Sequence, residues 1–393
     1  MTTRRGALGL ALLMVLAHAP RLAGQSVLSA GGLGLPIDAA EGRARALGSN
    51  GAGLFGSAII PGDPVAAADL PVPTVMLTGQ SAWLSVDQGT GSASTSSGNR
   101  FPALGASYPV RTWGVVTLTY GAVLDQRWEF EDRDTLLLTD AELEIADRFT
   151  SNGGVSAVRV GFAHRVAPSL ALGAAVGVYT GNSTRLFRRV FDTLAANVEI
   201  EPFQSAGRWS YSGTTASFGA MVDLGELLRA SATLTWSGSL EADPSAITEG
   251  GRREYDMPLE LRAGMSGALA PDLNATVSYT LADWSGTAED LDLSGDGKAT
   301  FFGGGLEWEG SSLFGRRLPL RVGYHRATLP FQILDEDATE SAFSFGAGLM
   351  LLEREDGIPL ALVDVGIERG GRDAAVLDES FWRSTVSVRV AGF

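Results

Sequence analysis

Between Leu228 and Glu241 the chain reads LRASATLTWSGSLE, and its chemistry changes with every residue. Leu228, Ala230, Ala232, Leu234, Trp236 and Leu240 fall on one face. Arg229, Ser231, Thr233, Thr235, Ser237, Ser239 and Glu241 fall on the other. Side chains of a β-strand alternate between its two faces, so this segment predicts one long strand with an apolar and a polar side. The pattern recurs. Near 113–130, Val116, Leu118, Tyr120, Ala122, Leu124, Trp128 and Phe130 oppose Thr117, Thr119, Asp125, Arg127 and Glu129. Further on, Tyr255, Met257, Leu259, Leu261, Ala263 and Met265 oppose Asp256, Glu260, Arg262 and Ser266, and a strand from Leu273 to Leu281 follows the same rule. Other strands are predicted at 74–88, 101–110, 154–166, 168–180, 207–222, 299–309, 317–327, 341–352, 358–369 and 381–392, about fourteen in all. Pro102 and Pro109 make 101–110 the least regular of these.

The connections alternate too. Long polar ones are predicted at 89–100, 131–152, 181–206, 242–254, 285–298, 328–340 and 370–380, with shorter turns between them, such as Ala167-Pro168, Gly225-Glu226 and Ala270-Pro271-Asp272. Long loops kept at one end and short turns at the other are the arrangement of an outer-membrane barrel. Trp128, Trp236, Tyr255 and Trp308 stand toward strand ends on the apolar face, as interfacial girdles do. The chain ends in the aromatic Phe393, out of register with Val386, Val388 and Val390. The expected fold is all-β: a transmembrane antiparallel β-barrel of about fourteen strands. The competing reading is an exported soluble β-sandwich or propeller, whose apolar faces would meet in a dry interior.

Composition narrows the function. A net charge of −15 argues against nucleic acid, and the absence of cysteine removes disulfide scaffolds and thiolate metal sites. Past the N-terminus no apolar run reaches the ~20 residues of a membrane helix, so strands must do any spanning. Arg4 and Arg5, an apolar stretch from Gly6 to Ala17, and small residues up to Ala23-Gly24 have the layout of a secretory signal peptide over 1–24. Residues 25–70 are rich in Gly and Ala and form either a disordered leader or a plug inside the lumen. The barrel occupies 71–393, and the expected location is a bacterial outer membrane.

Two stretches carry a resemblance. Ala46-Leu47-Gly48 through Gly51-Ala52-Gly53, followed by Asp63-Pro64-Val65-Ala66, resembles the plug segment and Asn-Pro-Ala turn of the long-chain fatty-acid transport porins, the FadL type. Here Asp63 stands for the Asn, and Val65 separates Pro from Ala. Leu320-Arg321-Val322-Gly323-Tyr324, Pro330 and Phe343-Ser344-Phe345-Gly346 resemble that family's eleventh and twelfth strands. The resemblance implies an N-terminal plug and passive uptake of small hydrophobic compounds such as long-chain fatty acids. Such compounds would adsorb on the outer loops, enter the barrel and leave sideways when the plug shifts. A non-transporting adaptor barrel that shuttles secreted proteins, and a general porin, are the alternatives.

Candidate binding residues follow. Leu186, Phe187, Val190, Phe191 and Leu194 recur at helical spacing with Arg185, Arg188 and Arg189 between them, which predicts an amphipathic helix above the membrane. It could capture a hydrophobic molecule or fatty acid, cap the barrel, or touch outer-membrane lipid and lipopolysaccharide. Arg159, Arg262 and Arg321 fall on inward faces. They would hold a carboxylate if one enters, or simply pair with Glu260, Glu307 and Glu309. Asp290 to Lys298 has the oxygen spacing of half an EF-hand loop, but Phe301 occupies the position that needs a bidentate Glu. The three histidines lack the Ser or Asp partners of a catalytic triad, so neither an enzyme nor a cofactor is expected.

Overall fold

The structure is a computed structural model describing residues 26–392, apart from 88–92, 139–140, 192–201, 292–296 and positions 226, 247, 249, 356 and 376. The segment 1–24, expected to be a signal peptide, and Phe393 lie outside the described residues. Eighteen pairing segments form one antiparallel sheet. Four of them are a plug segment and three continuations of longer strands, so fourteen strands make the wall. These are β1 (Thr74–Asp87), β2 (Ala93–Val110), β3 (Gly114–Asp125, continued by Trp128–Leu138), β4 (Ala141–Ala167), β5 (Leu170–Phe191), β6 (Phe203–Leu224) and β7 (Leu228–Ser237, continued by Leu240–Pro244). After them come β8 (Leu259–Ala270, preceded by Arg253–Tyr255), β9 (Leu273–Asp283), β10 (Lys298–Trp308), β11 (Leu320–Ile333), β12 (Glu336–Glu353), β13 (Pro359–Ala374) and β14 (Leu377–Ala391). Closure is direct, because β14 pairs with β1 from Thr74 opposite Ala391 to Asp87 opposite Asp378.

Burial is inverted relative to a soluble protein. On β7, Leu234 and Trp236 are 46% and 56% exposed, while the alternating Thr233 and Thr235 are 1% and 6% exposed. Elsewhere Phe218 and Val176 face out at 72% and 66%, and Glu368 is wholly enclosed. A sandwich would bury the leucines and wet the threonines, so that reading is overturned. Water would penalise such an exterior, whereas hydrocarbon matches it, and closing the sheet leaves no open edge within the band.

Residues 26–72 run inside the wall. A turn of 3-10 helix (Val27–Ala30) sits at the long-loop end, α1 (Gly42–Ala46) lies at mid-height, and a second 3-10 turn (Pro64–Ala67) reaches the short-turn end. The segment is thus a plug.

Several long connections expected from sequence are instead strand. β4 runs for 27 residues and β5 and β6 for 22 each, so most of 131–152 and 181–206 is sheet rising beyond the barrel. Above the membrane neither face meets lipid, so those strands carry charges on both sides and lose the alternation that marks the rest. The connection 285–298 contains a short helix, α2 (Ser285–Asp290), and the centre of the EF-hand-like segment lies outside the described residues.

Candidate functional site

The plug is seated on inward-facing glycines. A Cβ on Gly323 would overlap the Leu47 carbonyl and come within 2.5 Å of Gly48 N. On Gly346 it would come within 2.6 Å of Ala46 Cβ, and on Gly366 within 2.7 Å of Gly42 O. Contact at this range, with plug backbone at Gly323 and Gly366 and with the Ala46 methyl at Gly346, leaves no room for a side chain, which is why the wet faces of these strands read Gly where others read Ser or Thr.

Ion pairs complete the seat. Arg43 binds both oxygens of Glu307 at 2.5 and 3.0 Å and donates to Phe55 O. Arg321 joins Glu307 at 2.7 Å and Asp364 at 2.6 Å. Arg389 reaches Glu41 at 2.8 Å and Ser57 O at 2.9 Å, and Arg262 bridges Glu260 at 2.5 Å and Asp38 at 3.0 Å. Farther up, Arg383 ties Glu368 to Glu340, and Arg372 ties Glu340 to Glu379. His325 stacks on Phe301 at 5.3 Å and meets Glu340 at 3.1 Å. Enclosed charges need such partners, since removing one of a buried pair costs about 3–5 kcal/mol.

Two hollows lie on either side of this seat. Above it, a cavity of about 130 Å³ is lined by Leu35, Trp284, Phe301 and Leu329 together with arginines and carboxylates of the network. Below it, a vestibule of about 500 Å³ opens at the short-turn end between Arg43, Phe55, Met350 and Arg389. Across from this charged network, one side of the upper lumen is apolar. Leu33, Val155, Tyr179, Tyr211, Leu240, Tyr255, Met257 and Trp284 form one buried cluster. Beyond it, Phe130, Phe149, Phe187 and Phe203 make a ladder across the raised sheet, with ring centroids 6.4, 4.8 and 5.9 Å apart.

The wall has a window. Among the described residues, β2 pairs with β3 only from Ala103 to Val110, and its outer half, from Ala93 to Arg100, pairs with β1 alone. The continuation Trp128–Leu138 likewise pairs with β4 alone among the described residues. The break begins at Pro102, which has no N–H to donate. Below it, the plug residues Leu35 and Pro36 take the vacated edge opposite Asp125 and Leu124. Asp125 holds the lower corner, binding Arg100 at 3.2 Å and Arg127 at 2.8 Å, while Arg127 donates to Asn99 O at 2.7 Å. Above that corner a cavity of about 950 Å³ runs from Ser26 and Leu84 on the inside to Trp83 and Trp382 on the outside.

The residues expected to bind ligand distribute unevenly. Leu186, Phe187, Val190 and Phe191 lie on a strand and not on a helix, and Leu194 lies outside the described residues. The expected helical face is therefore split. Phe187 and Phe191 share the face of the buried Tyr179 and Ser183, and Leu186 and Val190 take the opposite one. Cross-strand pairing of Phe187 with Phe149 and Ser205 decided this over the helical period. Arg262 and Arg321 are committed to carboxylates. Arg159 is buried, donates to Pro61 O at 3.4 Å, and leaves Nε without a hydrogen-bond partner among the described residues. Sequence reasoning missed the window and the Arg372–Arg383 network. Charges at Glu368, Arg372, Glu379 and Arg383 on wet registers were the signal for the second, and Pro102 for the first.

No protein-family model and no curated protein matches this sequence. Solved structures do. The chain is similar to the Ralstonia pickettii toluene transporter TbuX, with 15% identity, a TM-score of 0.57, and 90% of this chain and 98% of that one covered. It is similar to a Pseudomonas aeruginosa FadL homologue at 10% identity, a TM-score of 0.59 and coverages of 91% and 99%. It is also similar to the P. putida toluene transporter TodX at 14% identity, a TM-score of 0.55 and coverages of 89% and 97%. At these identities the likeness is one of architecture: this chain has the plugged, fourteen-stranded barrel fold of FadL-type proteins.

Proposed function

We propose that this protein is a bacterial outer-membrane channel for passive uptake of small hydrophobic compounds, which pass between the lumen and the membrane through the lower end of the window beside β3, at the level of Trp83 and Trp382. The observation that carries the reading is the pair of strand edges, 93–100 and Trp128–Leu138, that face each other across the cavity without pairing. A hydrocarbon gains about 25 cal/mol per Å² on leaving water, so ~200 Å² of buried ring surface supplies about 5 kcal/mol. The phenylalanine ladder and the cluster around Tyr211 and Trp284 offer apolar surface between the long-loop end and the plug. A general porin needs an open lumen, which the seated plug occupies. An adaptor barrel calls for an unbroken wall.

Within this reading, the ion pairs bear on the substrate. Arginines lining the upper cavity each have a carboxylate partner, which leaves them matched and favours uncharged hydrocarbons. Long-chain fatty acids require a cation without a carboxylate pair, and Arg159, which makes no ion pair among the described residues, is the candidate. The likeness to toluene transporters supports the neutral class.

Because the chain has no cysteine, the window can be bridged cleanly. Ser97→Cys with Glu129→Cys, joined by a bifunctional thiol reagent, is expected to slow hydrocarbon uptake into proteoliposomes severalfold, with recovery on reduction of a cleavable linker. Uptake at the unbridged rate after complete bridging would remove the window from the route.

A further inference from the structure

The lipid-facing wall carries two cations that the luminal network does not use. Arg326 on β11 and Arg369 on β13 are both exposed and share the outward register of Tyr324 and Ile367. Tyr324 and Arg369 both stand opposite Phe343 on the intervening β12, and Arg326 stands opposite Ser341. The two arginines are thus two strands and two residues apart, about 12 Å between Cα atoms at a strand spacing of ~4.8 Å and a rise of ~3.3 Å. Rings surround them. Arg326 is opposite Phe302, and Arg369 is opposite Trp382, which in turn is opposite Trp83. The Arg369 guanidinium lies 5.5 Å from the Trp382 ring centre and donates to Phe381 O at 3.0 Å.

Neither arginine has a carboxylate within ion-pair distance among the described residues, whereas Arg321, Arg372 and Arg383 in the lumen each have two. An arginine on the lipid face of a barrel costs ~2–4 kcal/mol at the bilayer midplane and ~0–1 near its borders. On β13 the outward residues run Ala361, Val363, Val365 and Ile367 before Arg369, which sets Arg369 at the upper border of the apolar band, level with the tryptophans. The carboxylates that share a cavity with Arg369, Glu129 and Glu131, pair with Arg148 and Arg133, so the anions left at that border are those of lipid headgroups.

We propose that Arg326 and Arg369 bind the phosphate groups of a phosphorylated glycolipid in the outer leaflet, with its acyl chains resting on Tyr324, Phe343 and Trp382. Guanidinium suits this role, since its planar fork donates two parallel hydrogen bonds to phosphate. The proposal rests on the outer-membrane placement given above and is independent of the transported substrate. Arg369 also lines the window cavity, so the bound lipid would stand at its lip.

The test is native mass spectrometry of the purified, detergent-solubilised protein with three probes: bis-phosphorylated lipid A, its dephosphorylated form, and a long-chain fatty acid. Wild type is expected to retain lipid A. The doubly substituted Arg326→Gln/Arg369→Gln protein is expected to lose it by about tenfold or more, the weight of a charge-assisted bond or two. Heat-modifiable gel migration checks that the variant barrel is closed. Comparing the two lipid A forms on wild type needs no variant, and the dephosphorylated form is expected to bind about as weakly as lipid A binds the variant. Equal retention of both forms by wild type, or of lipid A by a closed variant, overturns the proposal. So does displacement of lipid A by the fatty acid, which would make the patch an exit for anionic substrate. Hydrocarbon uptake is not read here, so failure of the channel reading would leave these outcomes unchanged.

Discussion

Replacing Gly323 by alanine tests whether the plug is held by backbone contact. The atoms nearest a methyl at this position all belong to the plug: it would overlap the Leu47 carbonyl and lie 2.5 Å from Gly48 N. Non-bonded heavy atoms rest ~3.5–4.0 Å apart, so the Leu47–Gly48 peptide must retreat by about 1 Å or more. It has little freedom to do so, because Gly305 approaches the same Leu47 carbonyl from the neighbouring strand. Overpacking of this kind costs ~1–3 kcal/mol, which lowers the ratio of seated to unseated plug about 5- to 150-fold. Alanine is otherwise tolerated in a strand, so the wall is expected to stay closed. The readout is permeation of a small sugar into proteoliposomes, with heat-modifiable migration as the check on folding. Gly79→Ala is the matched control, since its methyl meets nothing nearer than the Phe101 ring at 3.7 Å. Gly323→Ala is expected to leak and Gly79→Ala to remain tight. A closed Gly323→Ala barrel as tight as wild type, or equal leakage from both, would refute the seat.

Two further outcomes separate faces and charges. Phe187→Ala removes ring contacts at 4.8 and 5.9 Å, each worth ~0.5–1.5 kcal/mol, and is expected to slow hydrocarbon uptake at low concentration severalfold, whereas Leu186→Ala on the opposite face leaves it unchanged. Similar losses in the two initial-rate assays would contradict the strand-face assignment. Arg159→Gln is expected to weaken fatty-acid uptake by about tenfold or more, the loss of a charge-assisted bond, and to spare toluene. Equal sensitivity of both substrates, or of neither, would remove Arg159 from the carboxylate's path.

The parts of this fold legible in the sequence are those where lipid imposes a rule. Within the apolar band each outward position must be oily and each inward one small or polar, so strands such as Leu228–Ser237 and Leu273–Asp283 announce themselves. Where the sheet leaves the band, that constraint ends. The segment from Arg185 to Phe191 then shows a helical period by chance of spacing, and only pairing with β4 and β6 reveals a strand. Luminal charges were visible as types but not as partners, because Arg43 and Glu307, or Arg383 and Glu340, are brought together by closure of the whole barrel. Pro102 signalled an irregular strand without saying that the irregularity was an opening.

The anchoring of the plug also fixes an order of assembly. The Ser26 hydroxyl donates to Glu379, 353 positions away, and Glu41 accepts from Arg389, 348 positions away. The plug, made early in synthesis, therefore acquires these partners only when the final hairpin arrives, and the seam joining β1 to β14 waits for the same event. Contacts of such sequence separation form slowly, because the intervening chain must be ordered before they repay it. Throughout that interval a glycine-rich plug segment and two unmatched strand edges travel together, and an unpaired strand edge is a template for pairing with another chain until the two ends meet.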